Sequence, residues 1–161
     1  VQVAEQNLDK ALEDLSNAIR FDPKNAAYLI MRSSFHRVAK GDLNAALNDA
    51  TAAIKVAPKD VSGYLERAKV LSERREWAEA RADYDEAVKL GPNEEHAHIA
   101  RAYFLVSCPD EKLRDVVQAS KDAKRACDLT EWKYPFALAA FARTGAALGD
   151  YDSAVKWQKK V

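Results

Sequence analysis

Three stretches of the chain repeat one pattern: "SNAIRFDPKN" (16–25), "TAAIKVAPKD" (51–60) and "DEAVKLGPNE" (85–94). Pro23 and Pro58 are 35 residues apart, and Pro58 and Pro92 are 34 apart. Ala18, Ala53 and Ala87 keep that spacing, as do Ala11, Ala46 and Ala80. Two more copies follow without the proline. One, around "SKDAKRACDLTE", places Ala119 and Ala126 39 residues after Ala80 and Ala87. The other, "GDYDSAVKWQKKV", places Ala154 35 residues after Ala119. A copy this short cannot bury its apolar residues alone. Each must stack on its neighbours, which restricts the chain to a repeat architecture.

Each period holds two stretches of helical apolar periodicity. Asn7, Asp42, Glu76, Asp115 and Asp150 stand where the second stretch of each copy should start as a helix. Gly41 and Gly149 precede two of them, where the previous helix should end. The prolines follow the second stretch and block its continuation. Small residues recur at one site in the first stretch (Ser33, Ala68, Ala102, Ala142) and at two in the second, Ala46 and Ala53 with their equivalents. Small side chains allow two antiparallel helices to approach closely. Only five Gly and five Pro among 161 residues suit such a chain. The pattern predicts a partial first copy, mostly one helix at about 7–21. Helix pairs follow at 25–40 and 42–56, 60–74 and 76–90, 94–107 and 115–130, and 134–148 and 150–160.

Ala68, Gly41, Asp42, Ala46, Ala53 and Pro58, with their equivalents one period away, resemble the tetratricopeptide repeat family. The resemblance covers nearly the whole chain. It implies a single domain over 1–161, with a partial repeat at 1–24 and repeats at about 25–59, 60–93, 94–131 and 132–161. It further implies an all-α, right-handed superhelical solenoid of antiparallel helix pairs whose first helices line a concave groove. The RNA-reading pentatricopeptide repeats have a similar period but would not explain the Gly-Asp turns or the Pro-terminated helices. The last two copies, with "CPDEKLRD" and "LTEWKYP", resemble a variant found toward the ends of large bacterial multidomain proteins, although Gly145 stands where that variant usually has Tyr. The chain does not begin with Met and reads as a piece of a longer protein.

Charges balance, 25 basic against 25 acidic, so the basic excess of a nonspecific nucleic-acid binder is missing. No apolar run approaches the roughly 20 residues of a membrane span. Cys108 and Cys127 form no CxxC pair, and the default expectation is a reduced, cytoplasmic setting. Cys127 reads as a packed apolar residue, while Cys108, at a helix end, reads as more exposed. His96 and His98 are two apart and point about 200° from each other on a helix, so they cannot share a metal. His36 and His98 occupy sites where the repeat usually places a ring and read as ring-sized fillers. No nucleophile–base order and no Gly-rich phosphate loop is present. The expectation is a protein without catalysis or cofactor.

A second motif runs across the copies. Arg32, Arg67 and Arg101 keep the period, and so do Asp14, Asp49, Asp83 and Asp122. A charge beside the close helix contact needs a partner. The expected pairs lie within repeats: Arg32–Asp49, Arg67–Asp83 and Arg101–Asp122. The rival, pairing with the preceding repeat, would match Arg32 with Asp14. The last copy has Phe141 and Trp157 at these places and should replace the ion pair by an aromatic contact.

If the first helices line a groove, one face of each reads off at helical spacing. That face supplies Arg37 in the second copy, Leu65 and Lys69 in the third, His96, Ile99 and Tyr103 in the fourth, and Phe136 and Arg143 in the fifth. Cations and rings point inward on this stripe, and no acid does. The places of the chaperone-tail clamp hold residues such as Ile30, Ser34, Glu66, His96 and Ala100, so that ligand is not expected. The surface suits a protein or peptide segment with apolar side chains and some negative charge. Tyr103, Phe136 and Arg143 are the expected anchors. Association of copies through exposed terminal helix faces, giving a homo-oligomer, is the alternative. The interruption from Cys108 to Asp115 lengthens one turn by five residues. It reads as a spacer, with Pro109 in the first turn of a short extra helix and Asp115 starting the next long one.

Overall fold

The structure, a computed structural model, describes residues 2–150. The described residues are helical and contain no strand. The chain divides into two compact units, Val1–Asp83 and Tyr84–Val161.

The first unit contains α1 (Gln2–Phe21), α2 (Ala26–Phe35), α3 (Leu43–Val56), α4 (Val61–Glu73) and the start of α5 (Trp77–Leu90). A single π-turn, His36–Lys40, prolongs α2. Short polar side chains begin α2, α3 and α4 by accepting backbone N–H groups that have no partner inside the helix. Asn25 accepts from Ala27 at 3.1 Å, Asp42 from Ala45 at 3.0 Å, and Asp60 from Ser62 at 2.9 Å. Asn7, expected to start a helix, lies instead inside α1. The preceding "QVAEQ" contains no Gly or Pro, so nothing in it stops the helix.

Gly41 leaves the π-turn with a left-handed φ of 65°. Arg75, one period later, takes the same conformation with φ 66°. A side chain there crowds the following carbonyl, which a glycine avoids. Arg75→Gly is therefore expected to raise stability by roughly 0.5–1 kcal/mol, seen as a higher urea midpoint.

The core of the first unit is built from small side chains. Ala46, Ala50, Ala53 and Ala68 are essentially inaccessible. Buried Ser33 keeps its hydroxyl satisfied by donating to the Ala46 carbonyl at 2.8 Å. At Gly63 a Cβ would stand 3.1 Å from Ile54 Cγ1, so α4 approaches α3 too closely for a larger residue to enter freely. Ala26, Leu29 and Ala53, with Ile19 and Ile30 packed against them, close the core between α1, α2 and α3.

The second unit contains the rest of α5, then α6 (Glu95–Ser107), a 3₁₀ turn (Glu111–Leu113), α7 (Val116–Leu129) and α8 (Pro135–Ala147). Its core includes Tyr84, Phe104, Leu105 and Leu138 among alanines at the helix contacts. The Tyr84 and Phe104 rings lie 5.2 Å apart.

The 108–115 stretch closes on itself. Asp110 caps the 3₁₀ turn through the Lys112 N–H, so Pro109 lies before the cap rather than in the first turn. Arg114 Nε donates to the Cys108 carbonyl at 2.7 Å, and the Asp115 N–H donates to Leu105 O at 3.1 Å. Cys108 is buried, not exposed as expected, because this folded-back turn covers it.

Where the last copies lose their proline, Glu131 and Trp132 turn the chain with φ 51° and 59°. The Trp132 N–H donates to Cys127 O at 2.8 Å, and the indole Nε1 donates to Asp128 at 3.0 Å. The indole meets Phe141 edge-on at 5.3 Å. Ala154, Trp157 and the helix expected at 150–160 lie outside the described residues, and with them the Phe141–Trp157 contact.

Candidate binding surface

The recurring Arg and Asp residues meet within each repeat. Arg32 Nε and Nη2 donate to the two Asp49 oxygens at 2.7 Å each. Arg67 makes the same fork to Asp83 at 2.7 Å each. Arg101 does so to Asp122 at 2.7 and 2.8 Å. The third nitrogen reaches back to the preceding second helix: Arg32 Nη1 donates to Ser16 Oγ, and Arg101 Nη1 to Asp85 Oδ1, both at 3.0 Å. Asp14 is exposed and takes no part, because two residues along a helix turn a side chain by about 200° from Ser16. Arg32 and Arg101 thus tie their own repeats to the ones before.

Asp122 carries more than this fork. Its Oδ1 lies 3.1 Å from His98 Nδ1, and the other His98 nitrogen lies 3.1 Å from the Pro92 carbonyl oxygen. His98 therefore fills a ring site and also joins the buried polar network. Burial alone would raise the Asp122 pKa. Hydrogen bonds from His98 and Arg101, with their charges, outweigh burial and hold it below the ordinary carboxylate value. Every polar group in this network is spent on its neighbours, which suits a structural tie. Burial, followed by the nearby Asp128, pushes the Cys127 thiol up to about 11, so little reactive thiolate forms near neutrality. The described residues contain no group of three or more His, Cys, Asp or Glu placed to hold a metal.

The groove stripe divides by unit. In the first unit, Arg37 Nε donates to Glu66 at 3.0 Å and its Nη1 to Glu73 at 2.8 Å. Lys69 Nζ lies 3.7 Å from the other Glu66 oxygen. The expectation of a stripe without acids is thus corrected: buried Glu66 neutralises both cations. It sits one residue after Leu65 and three before Lys69, which places it on the edge of the same face. Leu65 is half-buried.

In the second unit, Ile99 is buried and forms part of the core, not of the open surface. His96 is exposed, and its ring meets Tyr134 edge-on at 5.6 Å. Tyr134 lies 5.4 Å from Phe136, which is 62% exposed. The Arg143 guanidinium stands 5.7 Å from the Tyr103 ring centroid, a cation–π contact. No carboxylate among the described residues pairs with Arg143. His96 to Tyr103, and Phe136 to Arg143, are each about two helical turns, roughly 10 Å. An aromatic cluster at one end of the α6–α8 face is thus followed by an open cation at the other.

Several solved structures share this architecture. A tetratricopeptide repeat protein from Parabacteroides merdae is 25% identical, with a TM-score of 0.73 over 96% of this chain and 59% of that one. A thermophilic TPR protein of Thermus thermophilus is 19% identical, with a TM-score of 0.75 over 99% of this chain and 84% of that one. The chain has the tetratricopeptide-repeat fold. YrrB, described as a TPR protein with an unusual peptide-binding site, is 16% identical, with a TM-score of 0.65 over 98% of this chain and 78% of that one. No protein-family model matches the chain, nor does any curated protein by sequence.

Within the tetratricopeptide frame, Tyr134 is the surface residue that the groove stripe missed. It occupies the helix-starting position that Asn25 and Asp60 hold in earlier repeats, and it makes no side-chain cap. Pro135 takes over the start of α8, since its missing N–H needs no acceptor. An aromatic ring in place of a capping side chain was the signal in the sequence. No helix among the described residues is long and apolar enough to cross a membrane.

Proposed function

We propose that the chain is a non-catalytic scaffold that binds an extended protein or peptide segment on the α6–α8 face of the second unit. One observation carries this reading: the exposed Phe136 ring, backed by Tyr134 and His96, shares a face with Arg143, which has no carboxylate partner among the described residues. Rings and Arg supply much of the energy of protein recognition. The Tyr103 ring orients the guanidinium. A strand advances about 3.3 Å per residue, so roughly 10 Å corresponds to three residues. The preferred ligand therefore carries an apolar side chain three positions from an acidic one. Arg37, Leu65 and Lys69 contribute less, because Glu66 and Glu73 already neutralise Arg37 and Lys69. The peptide-binding site named for YrrB agrees with this reading.

The test is selection of displayed random peptides on the full chain. The selected peptides should share the apolar–acidic spacing. Joint replacement of Tyr103, Phe136 and Arg143 by Ala should weaken them about thirtyfold or more. Retention of full affinity by that variant contradicts the reading.

The alternative is self-association. It draws on Phe21, 93% exposed at the end of the terminal helix α1. Light scattering at two concentrations separates the two readings: a strict monomer excludes self-association.

A further inference from the structure

The first unit contains an open cavity of about 660 Å³ lined by Pro23, Lys24, Leu29, Ala52, Lys55 and Val56. The chain's own repeats show why it is open. One period after Leu29 stands Tyr64, whose hydroxyl donates to the Pro58 carbonyl at 3.2 Å. One period further stands His98, whose Nε2 faces the Pro92 carbonyl at 3.1 Å. In both repeats a ring from the first helix fills the place and meets the loop proline. The Leu29 side chain has no polar atom, and no donor among the described residues reaches the Pro23 carbonyl.

The opposite wall is cut back as well. In the second unit, Arg125 Nη2 donates to Asn93 Oδ1 at 2.7 Å and closes this place from the second helix. By repeat register, Ala52 replaces that Arg and Lys24 replaces that Asn. Lys24 and Lys55 both line the opening, and no carboxylate among the described residues pairs with either.

We propose that this cavity is a second docking site, which takes the tyrosine side chain of an acidic peptide segment. The ring would lie over Leu29 and Val56 as the internal rings do in the later repeats. Its hydroxyl would donate to the Pro23 carbonyl, and neighbouring acidic side chains would meet Lys24 and Lys55. The volume falls within the usual range of ligand pockets, roughly 300–1,000 Å³. This site is independent of the α6–α8 face.

The probe is a blocked pentapeptide with a central tyrosine flanked by two acids on each side. It is titrated into the full chain at low salt and followed by amide NMR. Saturable shifts at Leu29, Ala52 and Val56 are expected. A phenylalanine-centred peptide should bind several-fold more weakly, having lost one hydrogen bond. Leu29→Tyr supplies the ring from within, as Tyr64 does, and should weaken binding at least about tenfold. Ala52→Arg closes the cavity from the other wall and should do the same, with thermal unfolding confirming that one or both variants fold. Lys24→Ala with Lys55→Ala should lower affinity and flatten its salt dependence. No saturable shifts at these residues with millimolar peptide, or undiminished binding by a folded filled variant, would overturn the proposal.

Discussion

Asp122→Ala is expected to lower folding stability by about 3–5 kcal/mol, the range for breaking a buried ion pair by removing one partner. The Asp122 side chain is 3% exposed and that of Arg101 14%. Removing the carboxylate strands a guanidinium that, among the described residues, has the more exposed Asp85 left, and it takes the acceptor from one nitrogen of His98. The Gln118 amide, 3.3 Å from Asp122 Oδ1, loses a contact too. Urea unfolding near neutral pH measures the loss. The pH dependence gives an independent check. The folded-state pKa of Asp122 lies below its unfolded value, so the folded state holds the proton less tightly. Its contribution is fully present above the ordinary carboxylate pKa and is lost as pH falls through the depressed folded value. The stability of the wild-type chain should therefore fall more steeply with acid than that of Asp122→Ala. Parallel curves would show that the carboxylate is not held by these partners.

Leu105→Ala should cost about 3–5 kcal/mol, the upper part of the range for large-to-small core changes. Leu105 is wholly inaccessible in the second unit, and many of that unit's other buried positions are alanines, among them Ala102, Ala119 and Ala123. Alanine has no rotamer with which to fill a vacancy, so the cavity should persist. Leu105→Val removes less volume and should cost roughly 1 kcal/mol. Urea midpoints of the two variants, compared at equal slope, measure the difference. A cost below about 1 kcal/mol for the alanine variant would mean that the site collapses.

The parts of this molecule that were legible in the sequence are those fixed by local chemistry and period. Asp42 and Asp115 begin helices because a short carboxylate can reach orphan N–H groups one turn ahead. The Arg and Asp residues could be paired from register alone, since both keep the repeat spacing. What escaped depends on side-chain reach and on neighbours without a period. Glu66 lies at the edge of a face drawn from ideal helical spacing, yet its length carries it to Arg37, 29 residues away. Ile99 keeps the spacing of the open face, but the structure buries it. The short turn after Cys108 looked open because nothing in its sequence announces that Arg114 folds back over it. The difference at Leu29 shows only in contacts: Tyr64 and His98, at its register place in the next two repeats, each reach a loop carbonyl, and the Leu29 side chain does not.

The most direct test of the binding account is to locate a selected peptide on the chain. A nitroxide attached beside the acidic residue of that peptide should broaden the NMR signals of Arg143 and Tyr103 most strongly. One attached beside its apolar residue should broaden those of His96, Tyr134 and Phe136. Broadening centred on α7, or confined to the first unit, would contradict the assignment of the α6–α8 face as the binding surface.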